Sequence, residues 1–253
     1  MGLHFHLISA ALIFMIGLAG GFWALKVGAR TTPGSRYMMR MGAALAGGVF
    51  LGAGLIHMLG DASSTMDAAF PNVDFPIAFA IATVGFVMVL AVERVVFRAA
   101  SAAEGPFAYI LVLVLGLHSL LAGIALGIED SGIVGIAIVI AILAHKGAAA
   151  FSLGVSFVKA NMPKGRAWGL IATFSCVTPF GIFFGSALGH TLSGASGEIV
   201  EGVFDALAAG SFMYIAAVDI ITEEFGDAEH SHIPGFAALL AGLGLMAVLA
   251  LFV

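Results

Sequence analysis

A chain of 253 residues that is 61% hydrophobic and only 10% charged, with a mean hydropathy of +1.11, departs far from the roughly 25% charged residues of soluble domains. The bilayer is the solvent such a composition fits, and a formal charge of −5 with no basic tail argues against nucleic acid as a partner. The single cysteine, Cys176, excludes an intramolecular disulfide and a thiolate metal cluster, so any metal bound here is held by nitrogen and oxygen.

Eight apolar segments of about 17–25 residues follow one another, each long enough to cross the roughly 30 Å hydrocarbon layer as a helix. The first, His6–Leu25, is followed rather than preceded by basic residues, so it reads as a retained anchor and not as a cleaved leader. The second, Ala43–Gly60, carries His57 with Asp61 four residues on, a spacing that puts both on one helix face. The third, Phe75–Val92, has no ionisable residue. The fourth and fifth, Ala108–Ile128 and Ile133–Val158, have His118 and His145 at their centres. The sixth, Trp168–Leu188, contains Thr178, then Pro179, expected to kink the helix and free a carbonyl. Gly181, Gly185 and Gly189 read as a packing seam. The seventh, Val203–Thr222, pairs Asp219 with Glu223 at the same four-residue spacing, and the eighth is Pro234–Val253. The separators are too short for a soluble domain, which leaves one transmembrane domain over residues 1–253.

Basic residues give a second test of this topology, because orientation follows Lys and Arg in short loops. Of the ten, nine fall in separators or at helix ends: Lys26, Arg30, Arg36, Arg40, Arg94, Arg98, Lys159, Lys164 and Arg166. With eight helices all nine lie on one side, while the other carries Asp61, Asp67, Asp74, Glu129, Asp130, Glu198 and Glu201 and nothing basic. Both termini are therefore expected outside, in a cell (plasma or inner) membrane.

An ionisable side chain at mid-membrane costs at least about 2.5–3.5 kcal/mol on insertion scales, so each one there needs a reason. Helices 4 and 5 are antiparallel, and each places a histidine near its centre, hence at one depth. The segments from His118 to Gly127 and from His145 to Gly154 share His, Ala, Leu and Gly at offsets zero, four, eight and nine, the mark of an internal repeat. Ala122 and Ala149, one turn from each imidazole, allow close approach around a common cavity. His57 with Asp61 falls near the outer mouth and Asp219 with Glu223 near the inner one, so the polar residues outline a route. Neutral imidazoles with carboxylates suit zinc, iron(II) and similar ions, and two histidines with oxygen or water suit a site that must release its ion. The transported divalent cation is the only metal expected, with no resident cofactor. Lys146 has two readings, a partner locking the helix to an acid such as Asp205 or Asp219, or a charge that tunes the site. His4, His6 and His190 read as solvated residues at the outer surface, and His230 and His232 as a small inner histidine group.

These motifs, in order along nearly the whole chain, resemble the Zrt/Irt-like (ZIP) family of divalent-metal transporters. They are Gly48-Val-Phe-Leu-Gly-Ala-Gly-Leu-Ile-His57 with Asp61, His118-Ser with Ala-Leu-Gly127, His145-Lys-Gly with Ala-Phe-Ser-Leu-Gly154, Thr178-Pro-Phe-Gly181, and Ala208 to Tyr214 with Asp219 and Glu223. The resemblance implies an all-α polytopic 3+2+3 bundle with inverted repeats, inward movement of zinc (or iron, manganese or cadmium), rocking or elevator-like motion, and a homodimer. It puts His118, Ser119 and His145 at ligand positions and Lys146 where two-metal members use an acid. His57, Asp61, Thr178, Asp219 and Glu223 fall along its pathway. The chain departs from the pattern where members commonly have a glutamate one turn after the helix 4 histidine, here Ala122, and where others have a helix 6 glutamate, here Thr178. Two other classes stay open on the residues alone: a metal-binding sensor without transport, and an intramembrane zinc-dependent hydrolase, for which the central layer offers two histidines where about three protein ligands are usual.

Overall fold

A computed structural model describes residues 2–30, 32–97, 105–129, 132–192, 195–226 and 231–251. Among the described residues there is no strand, and the helices form eight rods, one for each apolar segment. α1 is Leu3–Gly28; α2 is Pro33–Gly52, a π-helical turn at Ala53–Met58, and Leu59–Ala69. α3 is Ile77–Ala91 with a π turn at Val92–Phe97, α4 is Gly105–Ile128, and α5 is Gly132–Lys159. α6 is Lys164–Leu192; α7 is Ala195–Tyr214, a π turn at Ile215–Ile221, and Thr222–Phe225; α8 is Ile233–Leu249. Seven rods are long and apolar enough to cross a bilayer, and α8 is a shorter apolar helix, as a polytopic membrane protein requires.

The rods are longer than their apolar cores. α2 continues through Asp61 to Ala69 because Met58, Ala62 and Met66, four residues apart, keep one face buried after hydropathy has fallen. α7 likewise begins at Ala195 rather than Val203, so Glu198 and Glu201 stand on a helix instead of in a loop. α6 runs unbroken through Pro179. Between α1 and α2, the Thr32 hydroxyl accepts from the Ser35 amide at 3.2 Å, with Pro33 as the first helical residue. The Ser35 hydroxyl donates back to the carbonyls of Val27 and Arg30, closing the corner.

The packing divides the rods into two groups of four. α1 packs on α5 and α6, α4 on α6, and α5 on α4; separately α2 packs on α8 and α7, and α3 on α7. Contacts of α2 with α5 and of α4 with α7 join the groups. Exchanging α1 with α6, α2 with α7, α3 with α8 and α4 with α5 leaves these partnerships unchanged.

Glycine makes the tightest of them. A Cβ on Gly48 or Gly242 would strike the backbone of α8 or α2, and one on Gly85 or Gly210 the backbone of α7 or α3. In the other group Gly123 faces the Thr178 carbonyl, Gly181 that of Leu120, Gly185 that of Ile124, and Gly20 that of Gly147. The expected seam on α6 is therefore real at Gly181 and Gly185; the side-chain position at Gly189 lies outside the described residues. Without a hydrophobic force between helices in lipid, the van der Waals packing that such backbone approach permits is one of the terms that holds helices together.

Candidate metal site

Helices α4 and α5 bring the two central histidines together. His118 and His145 are both buried, their Nε2 atoms 3.4 Å apart and their ring centroids 5.4 Å apart. That contact is within hydrogen-bond reach for one neutral imidazole donating to the other, and it also matches the about 3.3–3.4 Å between two nitrogens bound tetrahedrally to one zinc at about 2.0–2.1 Å. Phe212 on α7 meets the His118 ring edge-on at 5.0 Å between centroids and fixes its plane from the other helix group.

The histidines sit at the inner end of a cavity of about 620 Å³ between α2, α4, α5 and α7. Ala122 lines it beside them, so the missing methylene-carboxylate of a glutamate leaves open space rather than a packed core. At the mouth stand His57, Asp61, Glu198 and Glu201, with Asp205 farther along the wall. His57 Nδ1 and Asp61 Oδ2 are 2.9 Å apart, so the expected pair forms, and His57, which lies in the π turn of α2, lines the cavity. Hydropathy alone places Glu198 and Glu201 in a loop, and Asp205 is expected only as a partner for Lys146. Their spacing of three and seven residues, one face of a helix, was the signal that could have found them.

Lys146 points away from the cavity. The residue is 1% exposed, and its ammonium donates to Ser119 Oγ at 2.9 Å, the Phe174 carbonyl at 3.0 Å and Thr178 Oγ1 at 3.0 Å, and lies 3.6 Å from the Phe174 ring centroid. Three acceptors match its three N–H groups, and among the described residues none of them is an acid. The expected acid partner is replaced by neutral oxygens: Lys146 ties α5 to α4 and α6 through two hydroxyls and a carbonyl, in a stretch where Pro179 leaves the neighbouring Ser175 carbonyl without its helical donor. Ser119, expected as a ligand, and Thr178, expected on the pathway, are both acceptors of this ammonium, and Ser119 is turned from the histidine pair.

The side chains of Asp219 and Glu223 lie outside the described residues, as do His230 and the side chain of His190; Asp219 is in the π turn of α7 and Glu223 in its last turn. His4 is exposed as expected, but His6 is buried, because it falls on the stripe Ser9, Ala10, Ile13, Gly17 that α1 presents to its neighbours. Two polar groupings on the basic side were not foreseen. Arg40 Nε on α2 lies 3.1 Å from Glu224 Oε1 on α7, and Tyr214 donates to Glu93 Oε2 at 2.7 Å while Arg94 flanks both, linking α3 to α7. Among the described residues, no group of three or more His, Cys, Asp or Glu side chains is placed to hold a metal ion.

The model of the family described as "ZIP Zinc transporter" matches residues 101–250, the stretch that holds both histidines. Zinc transporter ZIP2 of Mus musculus is 26% identical over 256 residues, covering 81% of this chain and 82% of its own length. Zinc transporter ZIP1 of Homo sapiens is 28% identical over 243 residues, 79% of this chain and 74% of that protein. Protein zntD of Dictyostelium discoideum is 35% identical over 148 residues, 57% of this chain but only 21% of the longer relative. The helices, the paired histidines and these matches agree: the chain belongs to the ZIP zinc transporter family, integral multi-pass membrane proteins that are transporters and not enzymes.

Proposed function

We propose that this protein carries a divalent metal ion, zinc foremost, from the outer face to the cytosol through a mid-membrane site made by His118 and His145. One observation carries this reading: two buried histidines, their Nε2 atoms 3.4 Å apart, at the floor of a cavity whose lining includes the carboxylates of Asp61, Glu198, Glu201 and Asp205. The zinc named in the relatives fits imidazole donors, and iron(II), manganese and cadmium are the other candidates such donors admit. Asp61, Glu198, Glu201 and Asp205 draw the cation in electrostatically, and His57 takes it from the mouth. The two central histidines hold it with water completing the shell, an incomplete protein ligand set that favours release. Ser119 and Thr178 hold Lys146 beside the site, and a fixed ammonium there disfavours a second metal. Asp219 and Glu223 serve the inner exit.

The pairing of helices under the exchange of α1–α3 with α6–α8 supports a 3+2+3 bundle with inverted repeats, with both termini outside on the charge asymmetry, forming one transmembrane domain. Two four-helix groups joined by the α2–α5 and α4–α7 contacts are the two bodies whose relative motion would expose the site alternately. The cell membrane is the expected location, and a homodimer the expected assembly.

Zinc flux into liposomes tests the reading. The parent is expected to take up zinc, His118→Ala combined with His145→Ala to lose most of that flux, and Ala122→Glu to raise affinity for the ion. Flux unchanged in the double variant overturns the site. Saturable binding without flux in the parent, together with flux in Ala122→Glu, would instead mark the protein as a metal-binding sensor that lost transport with its acid.

A further inference from the structure

A second cavity, of about 480 Å³, lies at the opposite, basic end of the molecule between α1 and the corner joining α5 to α6. Its floor is apolar, with Phe157 fully buried, and its wall is aromatic: Phe22 and Trp168 stand 5.5 Å apart between ring centroids. Two ammonium groups, Lys26 and Lys164, line it, with no carboxylate among the lining residues. Lys26 rests over the Phe22 ring, 5.4 Å from Nζ to centroid, so its stem follows the apolar wall while the charge stays at the rim.

The corner itself is rigid. The Met162 amide donates to the Phe157 carbonyl and the Asn161 amide to that of Val158, while Asn161 takes a left-handed φ of 49°. This closes α5 with a Schellman turn, and the carbonyl of Pro163, just before α6, accepts the first amides of that helix. The cleft is thus preformed, and Trp168, in the first two turns of α6 beside the basic residues, is a side chain that favours the boundary between hydrocarbon and headgroups.

We propose that this cleft binds an anionic phospholipid of the surrounding leaflet, with the headgroup phosphate between Lys26 and Lys164 and the upper acyl chain against Phe22, Phe157 and Trp168. The apolar floor distinguishes a lipid from a free phosphate ester, which would satisfy the lysines and leave the floor wet. Basic clefts between membrane helices on the positively charged side have this selectivity, with each Lys worth several-fold in affinity for an anionic surface. Because α1, α5 and α6 belong to the same helix group as the histidines, a lipid held here anchors that group in its leaflet.

Trp168 reports on the cleft directly. With Trp23, which packs on Phe151 instead, changed to Phe, Trp168 is the only indole of the chain. Brominated phosphatidylglycerol in phosphatidylcholine vesicles should then quench it at about tenfold lower mole fraction than brominated phosphatidylcholine. Lys26→Gln with Lys164→Gln should bring the two lipids to near equality, and Arg30→Gln with Arg36→Gln should keep the preference. Equal quenching in the parent, a preference that survives loss of both lysines, or equal loss in the arginine variant overturns the proposal. Millimolar glycerol 3-phosphate that relieves quenching by the anionic lipid would also overturn it, assigning the lysines to a soluble phosphate.

Discussion

Hydrocarbon makes a polar side chain expensive, and α4 and α5 bury three of them together, His118, His145 and Lys146. The imidazoles face each other, and the ammonium turns to α4 and α6. An ammonium in the membrane suggests an acid nearby, whereas the acceptors here are two hydroxyls and a carbonyl on α4 and α6, brought together only by the way three helices cross. Burying that charge is tolerable because each N–H is satisfied and the Phe174 ring lies 3.6 Å away. Lys146→Met should therefore destabilise the protein by about 1–3 kcal/mol, as buried acceptors lose their donor. The check is the fraction surviving heating in detergent, read by size-exclusion chromatography. A variant as stable as the parent or more so would mean that the ammonium is kept for transport at the expense of the fold. The departure at Ala122 has the opposite character: it borders open cavity, so a larger side chain meets space there and not a packed wall.

At the scale of helices, hydropathy located every rod and misjudged several ends. α2 and α7 both extend past their apolar cores because their buried faces continue at helical spacing among polar residues, and a window average weighs all faces alike. The π turns at Ala53–Met58, Val92–Phe97 and Ile215–Ile221 leave no mark in composition, yet the first of them contains His57 and the third Asp219. Glycine contacts lend themselves to a paired test on α4. A Cβ at Gly123 would land on the Thr178 carbonyl, while one at Gly116 meets nothing within 4 Å. Gly123→Ala is expected to cost about 1–3 kcal/mol by forcing α4 from α6, and to loosen the Thr178–Lys146 bond with it. Gly116→Ala, in the same helix, is expected to be neutral or to gain roughly 0.5–1 kcal/mol from reduced backbone freedom. Equal effects in a thermal-stability assay would contradict the close α4–α6 approach.

For the molecule as a whole, the charge asymmetry was readable from nine basic residues and a run of acids, while the division into two four-helix groups was not. Partners such as α1 with α5, or α2 with α8, are far apart in the chain, and small residues that permit contact do not name the helix they will meet. The orientation has its own measurement. With Cys176 replaced by Ala, a membrane-impermeant maleimide applied to intact cells should label Asp67→Cys, which is exposed on the acidic end, and spare Arg36→Cys, exposed on the basic end, until the cells are opened. The reverse pattern would turn the protein over and make the wide cavity an inner one. The central claim is that one ion is shared by two imidazoles already at tetrahedral spacing, and X-ray absorption at the zinc edge of loaded, purified protein tests it most directly. The expected spectrum has about two imidazole ligands at about 2.0–2.1 Å, falling to at most one in His118→Ala and in His145→Ala taken singly. A spectrum that either substitution leaves unchanged would contradict it.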